Sequence, residues 1–181
     1  ETGMSWIRTR EIEDPAACQD AFINSDFEAF PSEAGRYLFK TTQIGMDRLW
    51  MARYSLSLPQ VNVFRIRPGR TVIGFLTDTN SSIHYCGVKI PPGDIIINRA
   101  SDAHQRTDTP LNAGTMSLPT DEFDAAIQAV VGLDFKRCLA RPFIRPSPVL
   151  MSRLLKLHKA VGQLALDTPD IIELPEVYRA L

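Results

Sequence analysis

The pattern of apolar and polar positions along the chain changes near residue 119. Before this point, short runs rich in Val, Ile, Thr and aromatic residues are separated by turn-forming residues, which is typical of a sheet built from short strands. After it, apolar residues recur at spacings of three and four, which predicts helices. The pattern therefore predicts an α+β chain, with a strand-rich part over residues 1–119 and a helical part over residues 120–181.

The strand-rich part predicts a closed sheet. Many of its runs are short and few alternate perfectly, which favours a strongly curved barrel, and several are bulky on both faces, so some outward faces must be covered. The predicted strands are Arg36–Gln43, Arg48–Ser57, Val61–Arg67, Thr71–Leu76, Ser82–Tyr85, Val88–Ile90, Asp94–Asn98, His104–Thr107 and Thr115–Leu118. The predicted turns are Gly45-Met46-Asp47, Pro68-Gly69, Asp78-Thr79-Asn80 and Pro92-Gly93-Asp94.

Capping residues mark the helices. Asp14 followed by proline predicts a brief helix near the start of the chain. Thr120 predicts the N-cap of a helix that ends at Gly132, and Ser147 followed by proline caps a long helix. A last helix begins at Pro175 and is still open where the chain ends, which indicates a fragment of a longer protein.

The long helix, residues 148–165, carries apolar residues at spacings of four, three, four and three. This is heptad spacing, the pattern of a helix that packs against a partner helix. It lasts for only about two heptads, so packing against its own domain and packing against a second copy both remain open. The candidate homodimerisation residues are Leu150, Leu154, Leu157, Val161 and Leu164.

Composition narrows the class of protein. A net charge of −1 with 44% hydrophobic residues predicts one substantial core without an overall basic footprint for nucleic acid. No apolar run is long enough to span a membrane and no signal peptide is visible, so we expect a cytoplasmic protein.

Cys18, Cys86 and Cys138 lie far apart and predict reduced, mostly buried thiols. Seven basic residues against one acid over residues 133–160 predict a solvated basic face.

Catalytic patterns are missing from the sequence. The chain has three histidines, His84, His104 and His158, and none belongs to an HxH or HExxH pattern that would bind a metal. No nucleophile elbow and no phosphate-binding glycine loop occurs. We therefore expect no catalytic residue, no metal, no cofactor and no enzymatic activity.

Binding of a small molecule is the better-supported expectation. A barrel of this size encloses one small ligand, and an arginine inside it would select an anion. Arg53 and Arg65 share strand faces with apolar residues, although both could also point outward. The candidate ligand-binding residues are Trp50, Arg53, Phe64, Arg65 and Phe75, and an anionic effector is one option.

Taken in series, three segments resemble a known family. They are "VKIPPGDIIINRASDAHQRT", then "GTMSLPTDEFDAAIQAVVGLDF", and after a proline-rich connector the helix "SPVLMSRLLKLHKAVGQLALDTP" with "LPEVYRAL" following. Their serial order resembles the N-terminal sensing domain of AraC/XylS-type bacterial transcriptional regulators, over most of the chain from Asp26 onward.

The resemblance implies a cupin-like, jelly-roll β-barrel that binds an effector, followed by helices that dimerise. It also implies that promoter DNA is contacted only by a helix-turn-helix domain absent from this chain. Metal-dependent cupins carry an HxH cluster that this sequence lacks around residues 71–85, where only His84 occurs. Two alternatives remain open: a stand-alone cupin enzyme, such as a metal-dependent dioxygenase or isomerase, and a domain that only dimerises.

Overall fold

The computed structural model describes residues 5–99, 102–131 and 143–180. Within these residues, antiparallel strands form two sheets that face each other. The large sheet has the order β1-β3-β4-β11-β6-β9-β12, and the small sheet has the order β2-β5-β10-β7-β8. The strands are β1 Trp6–Ile12, β2 Ser25–Pro31, β3 Phe39–Met46, β4 Leu49–Leu56, β5 Gln60–Ile66, β6 Arg70–Leu76, β7 Ile83–Tyr85, β8 Val88–Ile90, β9 Ile95–Arg99, β10 Asp102–Thr107, β11 Leu111–Pro119 and β12 Phe143–Ile144.

The main core lies between the two sheets. Because successive strand residues point to opposite faces, each strand sends every second side chain inward. In β10 the inward residues are Ala103, Gln105 and Thr107, all buried, whereas the residues between them are exposed. The inner side chains include the fully buried Phe39, around which several aromatic rings cluster, and together they form one continuous core.

All nine predicted strands are confirmed, with shifts of a few residues at their ends. Three further strands were not predicted: β1, β2 and the two-residue β12. The sequence of β2, "SDFEAFP", alternates cleanly between buried and exposed positions, so a period-two signal was present there.

The turns agree with the sequence except at one hairpin. Gly69 and Gly93 have φ of 96°, which explains why glycine follows proline in both predicted turns. Asp78 accepts hydrogen bonds from the backbone N–H groups of Asn80 and Ser81, both at 3.0 Å, which forms the predicted turn there. The turn predicted at residues 45–47 instead centres on Asp47, with φ of 51°, because β3 continues through Met46.

The predicted helices are present. A 3₁₀ helix covers Pro15–Cys18, with the Asp14 carboxylate accepting from Ala16 N–H at 2.9 Å. The longer helices are α1 Thr120–Val131, α2 Pro148–Asp167 and α3 Pro175–Ala180, with a 3₁₀ helix Pro169–Glu173 before α3. The helix end predicted at Gly132 and the proline-rich connector lie outside the described residues. No helix in the described ranges has the length and apolar character needed to cross a membrane.

Helix α2 covers the outer face of the large sheet. Its Val161 and Ala165 pack on Ile44 and Met51, and its Met151 packs with Phe75 and neighbouring apolar residues. This packing explains why several strands are apolar on both faces, as the sequence indicated. At the start of α2, Arg145 Nε donates to Asp94 Oδ1 at 2.6 Å and ties the helix to the turn before β9.

A glycine in β11 permits the close approach of α2. A Cβ on Gly114 would lie 2.7 Å from His158 Cε1 and 2.9 Å from Phe75 Cε2, both of them ring atoms of packed side chains. We expect Gly114→Ala to lower the free energy of unfolding by about 1–3 kcal/mol through overpacking. Urea unfolding measures this change. The matched control is Gly74→Ala, whose Cβ would meet only Thr115 Cγ2 at 4.0 Å; equal losses in both variants would contradict the prediction.

Candidate functional site

A cavity of about 80 Å³ lies between the two sheets, inside the barrel. One buried water needs roughly 10–15 Å³ of cavity volume, so the space suits several waters or one small organic molecule. The lining residues are Phe22, Asn24, Ser25, Phe27, Tyr54, Phe64, Ile66, Val72, Gly74, Tyr85, Ile96, Asn98, Gln105 and Thr115.

Aromatic rings form much of the cavity wall. The ring of Phe22 meets those of Phe27 and Tyr54 edge to face, with centroids 5.4 and 5.3 Å apart. On the small sheet, where Phe64 is paired with Phe27, the rings of Phe64 and Tyr85 have their centroids 6.1 Å apart. These contacts hold the rings in place and leave apolar surface for a flat ligand.

The polar groups of the cavity are neutral. Burial raises the pKa of both Tyr54 and Tyr85 to about 12, and the Gln105 amide opposes this rise at Tyr54. Both hydroxyls therefore stay protonated at physiological pH. Gln105 is 5% exposed; its amide lies close enough to the Tyr54 hydroxyl to lower the pKa of that group, but its Nε2 makes no hydrogen bond of ordinary geometry to a described residue. A buried donor that is only weakly bonded favours an acceptor placed in the cavity.

Phe64 is the predicted ligand-binding residue that lines this cavity. Trp50 lines a neighbouring space of about 20 Å³ that shares Phe22 and Thr115 with the main cavity. Trp50 also stacks under the Arg70 guanidinium, 3.9 Å from the ring centroid, and meets Trp6 edge to face.

The other three predicted residues lie outside the barrel interior. Arg65 points to solvent and donates to the Asp102 carboxylate at 2.5 and 3.0 Å, because its position in β5 alternates with the inward Phe64. Arg53 and Phe75 lie on the outer face of the large sheet, under α2. The expectation that an arginine inside the barrel selects an anion is therefore corrected, since neither Arg53 nor Arg65 lines the cavity.

Behind the cavity, His158 of α2 is fully buried and joins two strands. Arg53 Nη1 donates to His158 Nδ1 at 2.9 Å, so the ring proton lies on Nε2, which donates to the Thr115 carbonyl at 3.1 Å. Burial, and after it the charge of Arg53, lowers the pKa of His158 to about 4. The histidine is therefore neutral at physiological pH, and burial also lowers the pKa of Arg53.

Two wider grooves lie outside the barrel. One, of about 350 Å³, follows the outer face of the large sheet past Lys40, Arg53 and Leu166. The other, of about 720 Å³, lies between the start of α2 and the turn at Pro92 and Gly93. Both are open surface features, whereas the barrel cavity combines enclosure with convergent polar groups.

The histidines and thiols do not form a metal site within the described residues. His84 and His104 lie on the outer face of the small sheet, where His84 is 3.5 Å from Asp108 and His104 is exposed. None of the described residues that line the barrel cavity carries an imidazole, thiol or carboxylate, so its donor set does not fit the metal of metal-dependent cupins. Cys18 is buried, but Cys86 is exposed in a turn, and Cys138 lies outside the described residues.

The predicted dimerisation residues fall on two sides of α2. Val161 is buried against the large sheet, and Leu154 packs with the apolar cluster around Phe75. Leu150 and Leu164 are 59% and 38% exposed, and Leu157 between them is half-buried. The leucines at spacings of seven thus form an outward edge of the helix.

Sequence reasoning missed most of the cavity residues, including Tyr54, Gln105 and Thr115. A signal existed in β10, where Gln105 occupies the same alternating face as Ala103 and Thr107. A polar side chain on an otherwise small or apolar inward face marks a position that needs a partner.

The chain is similar to several solved structures. The AraC-like transcriptional activator CuxR is similar over 95% of this chain, with a TM-score of 0.60 and 10% identity, and this chain spans 66% of that protein. A predicted oxalate decarboxylase from Thermotoga maritima aligns over 51% of this chain and 91% of its own, with a TM-score of 0.37 and 15% identity. An RmlC-like cupin from Shewanella frigidimarina aligns over 53% and 87%, with a TM-score of 0.37 and 13% identity.

The predicted cupin-like, jelly-roll α+β fold is confirmed. At the level of sequence, no protein-family model and no curated protein matches the chain.

Proposed function

We propose that this chain is the effector-sensing and dimerisation part of a cytoplasmic transcription regulator, and that it binds a small molecule without transforming it. The observation that carries the proposal is the contact behind the cavity: Thr115 lines the cavity with its side chain, and its carbonyl accepts a hydrogen bond from His158 of α2. The similarity in fold to an AraC-like transcriptional activator supports the regulatory role.

The same strands contact both the ligand space and the helix. In β4, Tyr54 lines the cavity while its neighbour Arg53 donates to His158. A ligand that presses on Tyr54 or Thr115 alters the backbone that positions His158. A ligand shifts the equilibrium between two positions of α2 only if its contacts differ between them. The backbone shared by the cavity and His158 links the ligand contacts to the position of the helix.

DNA binding belongs, in this proposal, to a helix-turn-helix domain outside this chain. The chain spans about two thirds of the length of CuxR, which is itself described as a transcriptional activator. Effector binding in the barrel would change the position of α2, and through it the placement of two DNA-binding domains in a dimer.

The test of effector binding is a thermal shift screen with a chemically diverse panel of small molecules. A ligand at 100 times its Kd adds about 2.7 kcal/mol to the free energy of unfolding. For a chain of this size the melting temperature should rise by about 5–10 °C. A panel in which no compound raises the melting temperature would count against a sensing role.

The exposed edge of α2 gives a prediction for assembly. We expect the chain to form a homodimer at micromolar concentrations through Leu150, Leu157 and Leu164, and Leu150→Asp with Leu164→Asp to yield a monomer. Both side chains are exposed, so the melting temperature of the monomeric variant should change little apart from the lost dimer contribution. Analytical ultracentrifugation measures the mass. Lys159→Asp, on the opposite exposed side of the helix, is the control and should remain dimeric; a monomeric parent chain would contradict the prediction.

A further inference from the structure

The charges of the barrel are distributed unevenly between its two faces. Among the described residues that line the cavity there is no lysine, arginine, histidine, aspartate or glutamate. Two charged residues of the lining strands point the other way: Arg65 pairs with Asp102 in solvent, and Arg53 lies under α2. Arg70 shares a strand face with Val72 and Gly74, but it covers the Trp50 ring and does not line the cavity. Strand alternation separates Arg53 and Arg65 from the cavity, because each neighbours an inward-facing neutral residue.

The neutral lining restricts the charge of a ligand. An ionised group that leaves water needs a partner of opposite charge or several hydrogen bonds to its charged form. The described part of the cavity lining offers hydroxyls and amides but no countercharge. A carboxylate or ammonium group would therefore be desolvated without compensation, whereas an amide, alcohol or phenol could exchange its bonds with water for bonds with these groups.

Size and shape restrict the ligand further. The cavity volume of about 80 Å³ is smaller than the roughly 150 Å³ of a cavity that binds benzene, so it limits the ligand to at most one small ring. Phe22, Phe27 and Phe64 present ring surfaces to it, and Gln105 contributes the Nε2 donor that has no partner of ordinary geometry among the described residues.

We propose that the barrel cavity selects an uncharged, single-ring molecule that carries a hydrogen-bond acceptor for Gln105 Nε2. This inference rests on the proposed function, since it names the class of effector for the same cavity. Arg53 and Arg65 then have no part in recognising the effector. The neutral lining excludes charged ligands.

The experiment uses pairs of compounds that differ in charge alone: benzamide with benzoate, nicotinamide with nicotinate, and phenylacetamide with phenylacetate. Melting temperatures are measured with each compound for the parent chain and for Gly74→Val, which places a side chain in the cavity. A cavity ligand is one whose shift disappears in that variant. We expect cavity ligands among the amides and at least tenfold weaker binding of the matching carboxylates.

Gln105→Leu provides the second readout. It keeps a side chain of similar size and removes the donor together with its weak interaction with the Tyr54 hydroxyl, so the melting temperature of the free protein should change little. The affinity of the amide that binds should fall by about tenfold. Unchanged affinity in this variant would overturn the role of Gln105.

The outcomes separate the two proposals. If carboxylates are the cavity ligands, the sensing function stands and the inference about charge is wrong. If no member of any pair, and no compound of the wider panel, gives a shift that Gly74→Val abolishes, both the inference and effector binding in this cavity fail.

Discussion

Acidification from pH 7 to pH 4 should lower the free energy of unfolding by about 3 kcal/mol through His158 alone. The pKa of His158 is about 4 in the folded chain, and it returns to its ordinary value of 6.5 on unfolding. Between these two values the unfolded state binds more protons, so stability rises with pH. The full contribution of the neutral His158 to stability is present above about pH 6.5. It is lost as the pH falls towards 4, at about 1.4 kcal/mol for each unit of pH.

The physical reason lies in the surroundings of the ring. His158 has no exposed surface, and its Nδ1 accepts a hydrogen bond from Arg53, a group that only donates. Protonation would place two like charges in contact in a buried space between sheet and helix. The acidic side chains with lowered pKa, Asp78 and Asp102, lose most of their stabilising contribution as the pH falls below their ordinary pKa of 3.8, and therefore mostly below this window.

Urea unfolding at several pH values measures the effect, with His158→Gln as the reference. The glutamine variant does not titrate in this range, so the difference in slope between the two chains isolates the histidine. We expect the parent chain to lose about 3 kcal/mol more than the variant over this range. Parallel pH profiles would show that His158 does not remain buried and neutral.

The second large effect is expected for Gly74→Val. Gly74 lies in β6 and lines the cavity, and a Cβ there would meet only Thr115 Cγ2, at 4.0 Å. A valine side chain therefore enters free space, and its branched shape suits a strand. The free protein should be as stable as the parent or more stable, while a ligand of the cavity should lose about 10- to 100-fold in affinity because it overlaps the new methyl groups.

Isothermal titration calorimetry with a compound found in the melting screen measures this loss. Ile73→Val is the matched control, because Ile73 is the neighbouring residue on the same strand and faces α2 on the outside of the barrel. Ligand affinity should be unaffected there. A ligand that binds Gly74→Val as tightly as the parent chain would show that the barrel cavity is not its site.

The strands and helices could be predicted because their signals are local. The turns at Gly69 and Gly93 need a residue that tolerates positive φ, and the start of α2 carries its N-cap Ser147 next to Pro148. The first two strands were missed although β2 alternates regularly. Its partner is β5, which lies far along the chain: Ser25 pairs with Ile66, and Pro31 pairs with Gln60.

The site could not be predicted because it depends on contacts between distant segments. Arg65 and Arg53 both neighbour apolar residues in sequence, yet one meets solvent and Asp102 while the other meets His158, 105 positions away. When a helix covers the outer face of a strand, as α2 does here, both faces are apolar. The local sequence pattern then does not tell which face is inward. The same ambiguity hid the division of the α2 leucines, since Val161 turns to the sheet and Leu150 to solvent.

The central claim is that a ligand in the barrel acts on α2 through Thr115 and His158. Amide hydrogen exchange, followed with and without a cavity ligand, tests it most directly. The claim predicts that the ligand changes exchange in α2, Pro148–Asp167, as well as in the strands that line the cavity, and that His158→Gln removes the change in the helix while the strands still respond. A ligand that alters exchange in the strands of the parent chain and leaves α2 unaffected would contradict it.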